Sequence, residues 1–201
     1  MLYWLDALFP PRADERALRG VSAAAFAALS DARRTDCTRP ATIALLPFSD
    51  ARVRAAVHEA KYHGSEKAFA LLAAALARFL RDETMPGPRI LVPVPLGTSR
   101  RRERGYNQVE EVARRVGAEL GIAVDAELLA RTRETASQTA LGRREREENM
   151  RGAFGAAHPA SPSMTYILLD DVLTTGATLQ AAIDALANAG VARILPVALA
   201  H

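Results

Sequence analysis

The residues with the most chemical content lie in one run, Ile167 to Thr178, which reads ILLDDVLTTGAT. An apolar stretch delivers two adjacent carboxylates, Asp170 and Asp171, and the chain then turns through Thr174, Thr175 and Gly176 toward a helix. Ligands of open parallel sheets lie beyond the carboxyl ends of the strands, where a starting helix offers unpaired N–H groups and a positive dipole end to a phosphate. Threonine hydroxyls add donors there, and a glycine lets the backbone approach closely. Two neighbouring carboxylates can accept hydrogen bonds from adjacent ribose hydroxyls, directly or through a hydrated Mg²⁺. Together these parts describe a grip for ribose 5-phosphate. A plainer alternative is that the acids cap a loop and the threonines cap the helix. It accounts for any one of these residues but needs only one acid or one Thr, whereas two acids and three Thr converge here.

The cations are almost all arginine: 24 of the 26 basic residues, with Lys61 and Lys67 the only lysines. A guanidinium holds phosphate in a fork geometry that an ammonium lacks. Arg100 to Arg104 and the charged stretch from Arg131 to Arg151, which includes Arg146, both suit a polyphosphate. Both also contain what reads as ordinary surface, Arg101 to Arg104 as a solvated loop and Arg143 to Glu148 as a salt-bridged helix face. A net charge of +3 is too small to argue for DNA by itself.

The elements that must position these groups fit in a chain of 201 residues, enough for one domain or one domain with an appendage. With 49% apolar and 24% charged residues, wholesale disorder and collagen-like repeats are excluded. Cys37 stands alone, so a disulfide framework or a Cys-rich metal site is excluded too. The longest apolar stretch, Ala68 to Ala77, stops at Arg78, short of the roughly 20 residues that cross a bilayer. No cationic segment precedes an apolar one at the N-terminus, so the expectation is a cytoplasmic protein without a membrane span.

Helical spacing covers Ser22 to Leu29 and Ser65 to Asp82, the second with Phe69, Leu72, Leu76, Phe79 and Leu80 on one face. Between them Thr42 to Phe48 reads as a strand, and Ser49 or Asp50 caps a helix that Gly64 stops near His63. Pro86, Gly87 and Pro88 break the chain. Strand and helix then alternate. Ile90 to Pro95 is a buried-type strand, and Asn107 with Glu110 starts a helix that Gly121 ends. Short strands are expected over Ile122 to Val124 and Ala153 to Ala156. Tyr166 to Leu169, a helix over Ala177 to Ala189, and Arg193 to Leu199 complete the pattern. Alternation of this kind predicts an α/β fold, a parallel sheet flanked by helices, behind a mainly helical N-terminal segment.

The run from Asp170 to Thr178 closely resembles the phosphoribosyl-pyrophosphate loop of type I phosphoribosyltransferases. Val92 to Leu96 (VPVPL), Arg100, Arg104 to Gln108 (RGYNQ), Gln138, Arg146, Asn149 and Phe154 stand in an order similar to the ComF competence family. The resemblance implies a type I phosphoribosyltransferase-like domain over residues 42–201. It makes Asp170 and Asp171 the ribose or metal acids, and Thr174, Thr175, Gly176, Ala177 and Thr178 the phosphate cradle. By the same likeness Leu96 to Arg100, with Arg104, faces pyrophosphate, and Arg146 belongs to a hood over the site. Lys61, in KYHG, matches a basic position of the family. Leu5 to Arg12 resembles the start of ComF proteins, which continue with two zinc-binding Cys pairs. Here Ala13 to Arg16 stand where the first pair belongs, so residues 1–41 are expected to be a degenerate segment without structural zinc.

Two functions follow from the resemblance. One is a phosphoribosyltransferase, or a protein with such a site, that binds phosphoribosyl pyrophosphate or another ribose 5-phosphate ligand with Mg²⁺. The other is an accessory protein of competence and DNA uptake that binds single-stranded DNA without transferase activity, with Tyr106 as the main ring on which a base would stack.

Overall fold

The structure, a computed structural model, describes residues 12–133 and 148–201. Short helices α1 (Ala13–Leu18) and α2 (Ala23–Ala27) lead into strand β1 (Arg33–Thr35) and strand β2 (Thr42–Leu46). Helices α3 (Ala51–Tyr62) and α4 (Glu66–Asp82), strand β3 (Arg89–Pro93), and helices α5 (Thr98–Arg104) and α6 (Gln108–Leu120) follow. The chain continues through strands β4 (Ala123–Val124), β5 (Leu129–Arg131), β6 (Phe154–Ala156) and β7 (Thr165–Val172). Helix α7 (Ala177–Asn188) and strand β8 (Ile194–Ala200) complete it.

Six strands form the central sheet in the order β1-β2-β8-β7-β3-β4, parallel throughout except for β1, which runs antiparallel to β2 at the edge. A parallel sheet is stable in water only when both faces are covered, which is why its central strands read as unbroken apolar runs. β7 shows the consequence. Ile167 and Leu169 enter the core beneath α3, α4 and α6, while Tyr166 and Leu168 enter the opposite core beneath α7. β8 divides the same way, with Val197 and Leu199 on one side and Ala198 on the other. The fold is therefore α/β, with a mostly parallel sheet between helical layers.

Local chemistry sets the helix ends. Asp50 accepts from Arg52 N at 2.8 Å, so it is Asp50 rather than Ser49 that caps α3. Asn107 caps α6 by accepting from Val109 N at 3.1 Å, and Gly121 closes that helix at φ +65°. Glu110 does not complete a capping box. Its carboxylate pairs with Arg101 at 3.0 Å and Arg114 at 2.6 Å instead.

Two features depart from the sequence expectation. Arg101 to Arg104, open to reading as a loop, belong to helix α5, which buries none of its residues. Arg33–Thr35 joins the sheet from the N-terminal segment that was expected to be mainly helical. The helix-face reading of Arg143 to Glu148 falls almost wholly outside the described residues; at the two ends of the charged stretch β5 pairs antiparallel with β6, and Arg133 donates to the carbonyls of Asn149 and Arg151, both at 2.9 Å. Most of the expected hood, Arg146 included, lies outside the described residues, as does the apolar start from Leu2 to Phe9. Among the described residues no helix is long and apolar enough to cross a membrane.

Candidate functional site

β7 carries the acids. Its first five residues are buried and its last three, Asp170, Asp171 and Val172, reach partial exposure at the carboxyl edge of the sheet. The strand was expected to stop at Leu169 but continues through both acids, because Asp170 and Val172 still pair with Ala198 and Ala200 of β8. Next to β7 in the sheet, β3 ends at the same edge, and Val94 N donates to Leu169 O at 2.8 Å. Buried Asn107 donates to Val94 O at 3.0 Å, which ties the loop after β3 to the start of α6.

These edges open into a cleft of about 490 Å³. It brings together Asp170, Asp171, Thr174 and Thr178 from β7 and the following turn, Arg100 and Arg104 from α5, and Lys61 from α3. Gly176 and Ala177 lie in an adjoining niche with Thr174 and Thr178, at the start of α7. Thr175 Oγ1 accepts from Ala177 N at 3.3 Å. Arg100, on the cleft wall, has no hydrogen-bond or ion-pair partner among the described residues.

Gly176 is constrained by protein. It sits at φ +81°, and a Cβ there would stand 3.0 Å from Cys37 O, 3.0 Å from Cys37 Sγ and 3.1 Å from Thr38 Cγ2. The β1–β2 connection thus supports the turn from behind. Gln180 of α7 strengthens that contact by accepting from Arg39 N at 2.7 Å.

The acids have unequal surroundings. Asp171 makes three polar contacts: Oδ2 faces Lys61 Nζ at 2.8 Å and accepts from Gln108 Nε2 at 2.6 Å, while Oδ1 accepts from Val172 N at 2.6 Å. Gln108 is buried, and its own oxygen accepts from Arg104 Nη1 at 3.1 Å, so a chain of polar contacts crosses the cleft. Asp170 accepts from Asp171 N at 2.9 Å. Burial, and then the charge of Asp171, push the Asp170 carboxyl up to about 7, against the pull of that N–H, Lys61 and Arg131.

These surroundings bear on the expected magnesium. Mg²⁺ needs oxygen ligands at about 2.1 Å in an octahedron and keeps several waters. Direct coordination through Asp171 Oδ2 does not fit, because an ammonium already holds the position a cation would take there. The arrangement suits a Mg²⁺ that arrives on a ligand's own phosphates.

Sequence reasoning did not single out Gln108 as a site residue, although it sits within the RGYNQ string, nor Tyr62. Tyr62 borders the cleft with 57% of its surface exposed, and the Arg104 guanidinium lies 5.0 Å from its ring centre. Tyr106, expected as a stacking ring, is instead packed edge-on against Phe69 with centroids 5.7 Å apart, and its hydroxyl accepts from Gly64 N at 2.7 Å. Among the described residues, the one group of three metal-ligating side chains is His58, Glu59 and His63. The Glu59 carboxylate there is held on both oxygens by Arg12, at 2.9 and 2.6 Å.

Residues 66–200 match the model of a family described as phosphoribosyl transferase domain. DNA utilization protein YhgH of Salmonella typhi is 33% identical over 146 residues, covering 69% of this chain and 62% of that protein. Competence protein F of Haemophilus influenzae is 32% identical over 116 residues, covering 57% of this chain and 51% of that protein. The chain thus spans less than two thirds of the length of these relatives. Among solved structures, adenine phosphoribosyltransferase from Leishmania tarentolae aligns over 67% of this chain and 57% of its own, at 18% identity and a TM-score of 0.39, too slight a likeness to carry an argument.

Proposed function

This chain belongs to the phosphoribosyl transferase domain family, and from that premise we propose that it binds phosphoribosyl pyrophosphate as its Mg²⁺ complex. One observation carries the reading. The edge of a single parallel sheet gathers the acids of β7, the threonine turn that opens α7, and the guanidinium of Arg100 into one cleft. The 5-phosphate is assigned to the turn from Thr174 to Thr178, where the amides and positive end of a twelve-residue helix meet it. The ribose hydroxyls fall to Asp170 and its neighbours, and the pyrophosphate to Arg100 and Arg104.

In transfer, the bond from C1 to the pyrophosphate oxygen breaks and its electron pair leaves with the pyrophosphate. The arginines stabilise that departing charge, while the carboxylates stabilise the positive charge developing on the sugar. Asp171, already neutralised by Lys61, orients the site, and Asp170 is the acid left to respond. An acceptor nucleophile then closes the new bond at C1.

The competence and DNA-utilization names of the relatives favour a second reading, an accessory protein of DNA uptake that binds single-stranded DNA. Tyr62 beneath Arg104 replaces Tyr106 as the ring a base would meet.

Thermal unfolding with phosphoribosyl pyrophosphate and Mg²⁺ tests the first reading. A ligand that binds only the folded chain adds about 2.7 kcal/mol of stability at 100 Kd. An unchanged midpoint at millimolar ligand refutes it. Affinity for oligonucleotides that falls steeply with salt, with no response to the small ligand, favours the second.

A further inference from the structure

The family match begins at residue 66, yet one wall of the cleft comes from α3, which ends at Tyr62. The contribution of α3 is specific. Lys61 Nζ lies 2.8 Å from Asp171 Oδ2, and the two side chains are only 23% and 15% exposed, so solvent screens the pair weakly. Gln108 and the Val172 amide take two further positions around that carboxylate. A divalent ion on Asp171 would sit against the ammonium, two like charges in a half-closed cleft.

We propose that Lys61 is the resident cation of the ribose site, standing where a protein-bound divalent ion would otherwise neutralise the acid pair. The inference rests on the ribose 5-phosphate reading above and gives that site its cation dependence. The ribose end is recognised without metal, with Lys61 as a donor and Asp170 as an acceptor for sugar hydroxyls. Magnesium matters only for a ligand that carries a pyrophosphate. Lys61 is a positioning residue through Asp171 and a specificity residue toward the sugar.

The experiment uses the full chain and D-ribose 5-phosphate, which has no pyrophosphate, with binding measured calorimetrically in EDTA and in millimolar MgCl₂. For the wild type the two affinities agree to within about twofold. Lys61→Gln loses about tenfold in EDTA, the worth of one charge-assisted hydrogen bond, and regains most of it with Mg²⁺. Lys61→Arg retains metal-independent binding. Wild-type affinity that collapses in EDTA, or Lys61→Gln that matches the wild type there, overturns the proposal.

A second measurement uses Mn²⁺ alone, followed by loss of the free-ion paramagnetic resonance signal. Lys61→Gln and Lys61→Met, each checked for folding by circular dichroism, are expected to bind Mn²⁺ at least about tenfold more tightly than the wild type, since the acid pair has lost its counter-charge. Equal binding by wild type and both variants refutes the resident-cation role. A wild type that ignores ribose 5-phosphate in both buffers refutes the ligand reading instead, and the Mn²⁺ comparison still decides the role of Lys61.

Discussion

Asp170 sets a measurable cost on the free protein. Its carboxyl is held up to about 7 from an unperturbed 3.8, first by burial and then by the charge of Asp171. A carboxyl whose pKa is raised by folding favours the folded state when protonated. Its unfavourable contribution is therefore absent below the unfolded pKa, grows as pH rises, and is complete above the folded pKa. At about 1.4 kcal/mol for each pKa unit, the penalty is about 2 kcal/mol at pH 5 and about 4 kcal/mol at pH 8. Asp170→Asn keeps the shape and the acceptor for Asp171 N but cannot ionise. The variant should thus be more stable than the wild type, and its advantage should widen by about 2 kcal/mol between those two pH values. For a chain of this size that is a further separation of about 4–8 °C in thermal midpoint. Paired unfolding curves at both pH values, in EDTA and without phosphate, measure it. A difference that does not change with pH means that Asp170 ionises normally, and the reasoning fails. The same variant should lose affinity for ribose 5-phosphate, because the stabilised form no longer carries the acceptor charge.

Two further outcomes follow from the geometry. Gly176→Ala places a methyl group 3.0 Å from the carbonyl and sulfur of Cys37 at φ +81°, so it should cost about 1–3 kcal/mol in urea unfolding, and a neutral result would mean that the β1–β2 connection yields freely. Arg12→Ala leaves the buried Glu59 carboxylate with only His58 and His63 near it; the depressed pKa of Glu59 rises, so the stability that the wild type loses on acidification should shrink in the variant, a shallower fall readable from thermal midpoints across acidic pH.

What the sequence disclosed and what it hid divide by range of interaction. α4 and α6 were legible because capping residues and apolar spacing mark them locally: Ser65 accepts from Ala68 N, Asn107 accepts from Val109 N, and the face with Leu72, Leu76 and Leu80 is buried. The run from Asp170 to Thr178 was legible as a candidate site for the same reason, since its parts adjoin in the chain. β1 was hidden because Arg33, Arg34 and Thr35 have no apolar pattern, and only pairing with β2 makes them a strand. Helix α5 buries nothing, so no periodicity announced it. The pairing of β5 with β6 joins segments more than 20 residues apart. Gln108 and Lys61 converge on Asp171 from separations of 63 and 110 residues, and no local signal specifies such a meeting.

The segment ahead of the family match has a physical part in the site. A turn proposed to bind phosphate must hold its amides in place before a ligand arrives, and such preorganisation requires contacts from the rest of the protein. Here much of that support comes from residues before 66. Thr38 is buried, donates to Pro40 O at 2.8 Å and meets Thr42 Oγ1 at 2.5 Å, which fixes the connection under Gly176 to the start of β2. β2 in turn pairs with β8, whose Ala200 accepts from Leu173 N at the base of the same turn. The turn is therefore held from behind by the β1–β2 connection and from the side by β8, while α3 delivers Lys61 to the acid beside it. A chain cut back to the matched region would keep the ILLDDVLTTGAT run intact and still lose both the brace under Gly176 and the cation on Asp171.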